Sequence, residues 1–195
     1  MNILFLILSY LFGSFPTGYI LYYLSEKKDI REFGSQSIGA TNMLRLKGWG
    51  FALPVIFIDI LKGFLPVFLA LKFFPDERWA LLSGFLAVLG HCFPIFIKFK
   101  GGKGIATAFG VYMVIALKPL LIGIAFFLAI IIMTRYVSLG SILAMLSLPI
   151  SIYFIQEDVE STVLGIAIFL LVVIRHRSNI QRLIRGNERK LGEKK

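Results

Sequence analysis

The sequence predicts an all-α integral membrane protein with seven transmembrane helices, the N-terminus outside and the C-terminus cytoplasmic. One transmembrane domain fills residues 1–195. Three observations carry that expectation. Hydrophobic residues make up 57% of the chain, above the roughly 45–50% of soluble domains. The apolar runs are continuous rather than alternating, which favours helices over a membrane β-barrel. Lysine and arginine fall almost wholly into alternate loops, as the positive-inside rule requires. The net charge of +10 then speaks for topology and anionic membrane lipids, not for nucleic acid. Cys92 is the one cysteine, so no disulfide closes within the chain. Two histidines, His91 and His176, are too few for a usual zinc site.

The first span is expected over residues 2–24, broken by Gly13, Pro16 and Gly18. It resembles a signal-peptide core but lacks a basic leader, and its apolar character resumes after Pro16, so it reads as a retained helix. Residues 25–48 form a polar loop in which small hydroxyl and amide side chains alternate with glycines. Thr41 or Asn42 is expected to cap a short helix running through Arg45. Ser35, Ser37, Thr41 and Asn42 offer neutral hydrogen bonds, and Arg45 offers a two-pronged donor for phosphate. A solvated linker with turn residues is the plainer account of the same stretch.

Residues 49–71 form the second span, with Asp59 and Lys62 on one face. Charges inside a membrane helix are usually paired or functional. Bracing the bundle is the plainer role, and orienting loop residues the sharper one. Residues 79–97 form the third span, with His91 near its end. The next ten residues, 98–107, interleave Lys98, Lys100 and Lys103 with Gly101, Gly102 and Gly104 before a helix start at Ala106–Thr107. Glycine permits left-handed backbone and close approach of a ligand to the main chain. Successive N–H groups and a helix N-terminus favour an anion, foremost a phosphate. A tight basic turn is the alternative. The loop departs from the nucleotide P-loop, with Gly104 where Ser or Thr belongs and Ile97 at the first glycine.

Residues 105–117 and 120–134 flank Lys118-Pro119 and are each short for a crossing. Residues 137–155 and 161–174 complete the spans. In the basic tail, Ile180, Leu183 and Ile184 share a helical face, which suits a helix lying on an anionic membrane surface. With seven crossings, 17 of the 21 Lys and Arg lie on one side: loop 25–48, the lysine–glycine loop, Arg135 and the tail. Lys72, Arg78 and Lys118 lie on the other, and Lys62 lies within a helix. Joining the short spans at Pro119 leaves 8 against 11 and destroys the bias. Segments 35–45, 98–104 and 175–185 therefore share the cytoplasmic face.

The candidate residues are rich in cations and neutral donors and lack the clustered carboxylates of two-metal phosphoryl chemistry. They suit holding phosphates and stabilising an oxyanion, with histidine available as a base on an alcohol. Acyl transfer from a lipid-soluble donor to a phosphorylated alcohol fits. The HxxxxD motif of common glycerolipid acyltransferases is absent, since Phe96 follows His91 and Gln181 follows His176 at that spacing. A membrane transporter of phosphate or a phospholipid precursor is the competing class, disfavoured by polar groups gathered on one face and no visible repeat.

Residues 13–18 (GSFPTG), 34–45, 59–63, 90–107 and 175–185 together resemble the bacterial acyl-phosphate:glycerol-3-phosphate acyltransferase family from end to end. The resemblance implies transfer of a fatty acyl group from acyl phosphate to the sn-1 hydroxyl of glycerol 3-phosphate, giving lysophosphatidic acid and phosphate at the bacterial inner membrane. No cofactor and no protein partner are expected, and no metal, since the carboxylate clusters that would hold one are missing. Ser35, Lys103, His176 and Asn179 are the expected catalytic residues. Ser37, Thr41, Asn42, Arg45, Gly101, Gly102, Gly104 and Arg177 are the expected substrate-binding ones. Lys103 and its glycines would hold the acyl phosphate's phosphate. Arg45 with Ser35, Ser37 and Asn42 would hold the other substrate or polarise the acyl carbonyl. His176 and Asn179 would position glycerol 3-phosphate. The base is either His176 or a phosphate oxygen of the donor.

Overall fold

The computed structural model describes residues 2–193. Among them are ten α-helices and no strand. These are α1 (Asn2–Ser14), α2 (Thr17–Glu26), α3 (Ala40–Lys47), α4 (Trp49–Phe73), α5 (Arg78–Cys92), α6 (Ile105–Ile115), α7 (Leu117–Thr134), α8 (Val137–Gln156), α9 (Val159–Arg175) and α10 (Arg177–Ile184). Five stretches are long and apolar enough to cross a membrane: Asn2–Glu26, Trp49–Phe73, Arg78–Ile97, Leu117–Thr134 and Val137–Gln156. A sixth arises if α9 and α10, bent by 63°, form one broken crossing. The expected seven would need α6 as well, and its 11 residues reach about 16 Å at 1.5 Å per residue, against a hydrocarbon core of about 30 Å. Large apolar side chains stand outward along these helices, Ile132 and Met133 each 80% exposed, as suits lipid as solvent.

The chain forms two compact units, Met1–Val111 and Tyr112–Lys195. In the first, α5 packs against α1 and α4, and α3 lies along α4. Much of this packing is backbone on backbone. A Cβ on Gly13 would lie 2.1 Å from the Ala87 carbonyl oxygen, and one on Gly90 would lie 2.2 Å from that of Tyr10. The same reciprocity joins α4 and α6. Gly63 faces the Thr107 oxygen at 1.9 Å, and Gly110 faces the Ile60 oxygen at 2.0 Å. Glycine is required at these positions by proximity. In lipid, where no hydrophobic effect draws helices together, small residues allow the close contact that does.

The helix–helix breaks correct two sequence expectations. The first crossing breaks only at Phe15-Pro16, between α1 and α2. Gly13 and Gly18 are seats, not breaks, since a Cβ on Gly18 would lie 1.9 Å from the Ile38 oxygen. Between α6 and α7 the break falls at Ala116, with φ −151° and ψ 57°. Pro119 sits in the first turn of α7, where its missing N–H has no intrahelical partner to lose.

In the second unit α8 packs against α7 and α9, and α10 contacts both α8 and α9. Asp158 caps α9 by accepting from the Glu160 and Ser161 amides at 3.0 and 3.2 Å, the first-turn donors that a helix leaves unmet.

Candidate active site

The segment between α2 and α4 is a packed element with its own core. Ile30, Ile38 and Met43 are buried with Tyr22, Val55 and Ile97. Burial of those apolar side chains holds the polar residues between them in place. Asn42 is the centre. Its side-chain oxygen accepts from the Ser35 amide at 2.8 Å. Its amide group donates to the carbonyls of Ser37 at 2.9 Å and Phe33 at 3.2 Å. The expectation that Thr41 or Asn42 caps the helix is thereby corrected. Gly39 is the residue before α3, without a side-chain cap, and Asn42 lies inside the helix with its amide turned back on the loop. Ser37 likewise spends its hydroxyl on the Gly39 amide at 3.2 Å. Ser35, Thr41 and Arg45 are half-buried on the same segment.

Arg31 ties this segment to the next. Its guanidinium is forked on Asp29 at 2.6 and 2.9 Å and donates to the Ile97 carbonyl at 3.0 Å. Hydrogen bonding from Arg31 holds the Asp29 carboxyl below the usual aspartate range, against the opposing effect of burial. The anchor point, Ile97, immediately precedes the lysine–glycine loop.

That loop is built differently from the expectation. Its left-handed residues are Lys98 (φ 57°), Phe99 (φ 59°) and Gly104 (φ 83°). Gly101 and Gly102 are glycines for lack of space. A Cβ on Gly101 would lie 2.2 Å from the His91 carbonyl oxygen and 2.3 Å from Pro94 Cδ. One on Gly102 would lie 2.0 Å from His91 Nε2. The Gly102 amide donates to the His91 carbonyl at 3.0 Å. The close approach that these glycines allow is that of the chain's own histidine. Lys103 follows, half-buried, and α6 begins at Ile105. Under the loop, Asp59 Oδ1 lies 2.5 Å from Lys62 Nζ and 3.7 Å from His91 Nδ1, all three residues buried. Thr107, in the first turn of α6, is fully buried, and its hydroxyl has no hydrogen-bond partner among the described residues.

In the second unit, His176 occupies the corner between α9 and α10 and is buried, as is Asn179. His176 Nδ1 lies 2.9 Å from the Val172 carbonyl. A carbonyl only accepts, so Nδ1 carries a proton there, which leaves Nε2 as the ring atom turned away from the Val172 carbonyl. Asn179 Nδ2 donates to Glu188 Oε1 at 2.7 Å. The same carboxylate receives Ser138 Oγ at 2.9 Å and Arg182 Nε at 2.6 Å. Burial raises the Glu188 carboxyl, and the bonds from Asn179, Arg182 and Ser138 outweigh it, leaving the group below its ordinary value of 4.5. Asn179 Oδ1 is buried and has no hydrogen-bond partner among the described residues. Arg177 is exposed. The expected surface-lying tail helix is thus partly corrected. One residue of α10, Asn179, is buried and pinned to Glu188, a carboxylate that sequence reading passed over. The signal for it was an acid set between arginines in a basic tail.

Comparison with known proteins bears on this arrangement. The profile of the family described as glycerol-3-phosphate acyltransferase matches residues 3–186. A glycerol-3-phosphate acyltransferase of Endomicrobium trichonymphae is 44% identical over 190 residues, 97% of this chain and 96% of that one. One from Staphylococcus saprophyticus is 42% identical over 202 residues, covering 98% of each. The crystal structure of PlsY (YgiH), an integral membrane glycerol 3-phosphate acyltransferase, in its glycerol 3-phosphate form, superposes with a TM-score of 0.93. Identity is 38%, over 98% of this chain and 96% of that one. The lysophosphatidic acid form of PlsY gives a TM-score of 0.90 at the same identity.

Proposed function

The chain belongs to the glycerol-3-phosphate acyltransferase family, an integral membrane family, and on that premise we propose that it acylates glycerol 3-phosphate to lysophosphatidic acid. The donor is a fatty acyl phosphate and the acceptor the sn-1 hydroxyl. The acceptor oxygen attacks the acyl carbon, the bond from that carbon to the phosphate oxygen breaks, and inorganic phosphate leaves. The hydroxyl proton passes either to His176 Nε2 or to a phosphate oxygen of the donor. Acyl phosphate is already activated, so the protein's share is positioning and charge stabilisation.

The observation that carries this reading is Asn179 Oδ1, a buried acceptor without a hydrogen-bond partner among the described residues. Leaving such a group unmet costs about 1–3 kcal/mol. Its orientation is fixed, because the Nδ2 side must face the Glu188 carboxylate. It suits a substrate hydroxyl, with His176 three residues earlier at the same corner. The remaining chemistry agrees. Asp29, Asp59 and Glu188 are each engaged by a cation, Arg31, Lys62 and Arg182. Lys103, Gly104 and the α6 start suit one substrate phosphate, and Ser35, Thr41 and Arg45 another substrate oxygen. Gly101 and Gly102 serve through the loop's shape, Asn42 and Ser37 by holding Ser35 in place, and exposed Arg177 by attracting the anion.

The same reading makes the chain one seven-span domain of the bacterial inner membrane, cytoplasmic at the lysine–glycine loop and tail, needing neither cofactor nor protein partner. Charge asymmetry supports it, with α9 and, despite its short reach, α6 as the additional crossings and α10 on the cytoplasmic side. The test uses purified protein, glycerol 3-phosphate and either palmitoyl phosphate or palmitoyl-CoA, with chelator present. Lysophosphatidic acid and phosphate formed from palmitoyl phosphate alone is the expected result. Product from palmitoyl-CoA alone overturns the donor, and product from neither overturns the acyltransferase reading.

A further inference from the structure

We infer that His91 is a positioning residue for the lysine–glycine loop, seated beneath Gly102 and oriented from below by the buried Asp59–Lys62 pair. The inference rests on the acyltransferase reading of that loop and deepens it, since it gives His91 a role and supplies the link through which Asp59 and Lys62 would reach the loop.

The geometry has two sides. On the loop side, His91 meets both glycines before Lys103. Its carbonyl accepts from the Gly102 amide at 3.0 Å and sits where a Gly101 Cβ would be, 2.2 Å away. Its ring nitrogen Nε2 sits 2.0 Å from where a Gly102 Cβ would be. Main chain and imidazole together therefore fix the height of the backbone one residue before Lys103. On the other side, Nδ1 faces Asp59 Oδ1 at 3.7 Å, and Lys62 holds the same oxygen at 2.5 Å. His91 is 4% exposed, Asp59 3% and Lys62 1%. A buried ion pair is a weak source of stability, because desolvation offsets the attraction. Its better use is directional. At 3.7 Å the Nδ1 contact is longer than a hydrogen bond, so the pair acts on the ring as a buried field that favours Nδ1 toward the carboxylate and Nε2 toward the loop. An apolar residue of similar volume would fill the space without setting that direction.

The contact makes a specific prediction of suppression. Gly102→Ala drives a methyl into the imidazole, and removing the ring frees the space that the methyl needs. The experiment measures kcat and KM for both substrates in wild type, Gly102→Ala, His91→Ala and the double variant, with melting temperature in detergent as the folding control. Gly102→Ala is expected to raise KM for one phosphate substrate at least tenfold, and His91→Ala several-fold. The double variant is expected to match His91→Ala alone, not the product of the two effects. Asp59→Asn, which keeps the shape and removes the charge, is expected to raise the same KM by less than His91→Ala. A merely structural histidine would lower melting temperature without moving one KM and without suppressing Gly102→Ala.

Multiplied effects in the double variant, or a wild-type KM in Gly102→Ala, overturn the inference while leaving the acyltransferase reading intact. If Gly102→Ala does not fold, unchanged KM values in folded His91→Ala and Asp59→Asn overturn it equally. A wild-type protein with no turnover on any donor overturns the functional reading, and the inference with it.

Discussion

The lysine–glycine loop and the α9–α10 corner each hold polar groups at the edge of an apolar bundle, by opposite means. At the loop, side chains are removed so that backbone and histidine can touch. Gly101 and Gly102 have no room for a Cβ. At the corner, side chains are added around a hub, and Glu188 gathers Ser138, Asn179 and Arg182. Steric exclusion fixes a main-chain path and leaves Lys103 to carry the charge. A carboxylate hub fixes side-chain directions and leaves one amide oxygen over. The loop is therefore sensitive to added atoms, and the corner to removed ones.

The sharpest break of that contrast is Lys103→Ala. Turnover should fall at least a hundredfold, the order of losing a transition-state donor, with melting temperature unchanged. A rate near wild type would sink the phosphate role of the loop. Glu188→Ala should act the other way, on folding. It strands three donors around a buried site and should cost about 3 kcal/mol, read as a lower melting temperature, with Glu188→Gln recovering part. His176→Gln should cost about a hundredfold in kcat, the low end of general-base effects, or raise KM for glycerol 3-phosphate if it only positions that substrate. No change in either would make His176 purely interfacial.

The hub also gives a pH signature. Glu188 has its carboxyl lowered in the fold, so its contribution is complete above the ordinary value of 4.5 and is lost as pH falls through the lowered folded value. Melting temperature should drop on acidification below about 4.5, less steeply in Glu188→Gln. The smallest effect belongs to neither region. The Lys47–Glu26 bridge is partly exposed on both sides, and Lys47→Ala should lower the melting temperature less than any variant above, because solvent screens an exposed pair.

The helical class and the positions of the five long apolar helices were legible because apolar runs are local and long. So was the chemical richness of segments 35–45 and 98–104. What each residue does there was not, because it depends on what lies across from it. Gly13 and Gly18 read as helix breakers until Ala87 and Ile38 are seen against them. Asn42 read as a cap, yet its partners are Phe33, Ser35 and Ser37 on the loop behind it. Glu188 was hidden among basic neighbours because one of its donors, Ser138, is fifty residues away. His91 stood out only as a polar residue near the end of the third span, since nothing in its own neighbourhood announces Asp59.

The reciprocal glycine seats, Gly13 with Gly90 and Gly63 with Gly110, bear on how the bundle assembles. Each seat accepts a carbonyl oxygen at one height along the partner helix. A slide by a single residue would bring a side chain to the point where none fits. Apolar surface in a bilayer tolerates many alignments, but two pairs of mutually keyed notches tolerate few. Helices inserted one after another can thus meet freely in the membrane and lock only at one offset. Threading errors are rejected by steric mismatch before the polar loops above have anything to hold.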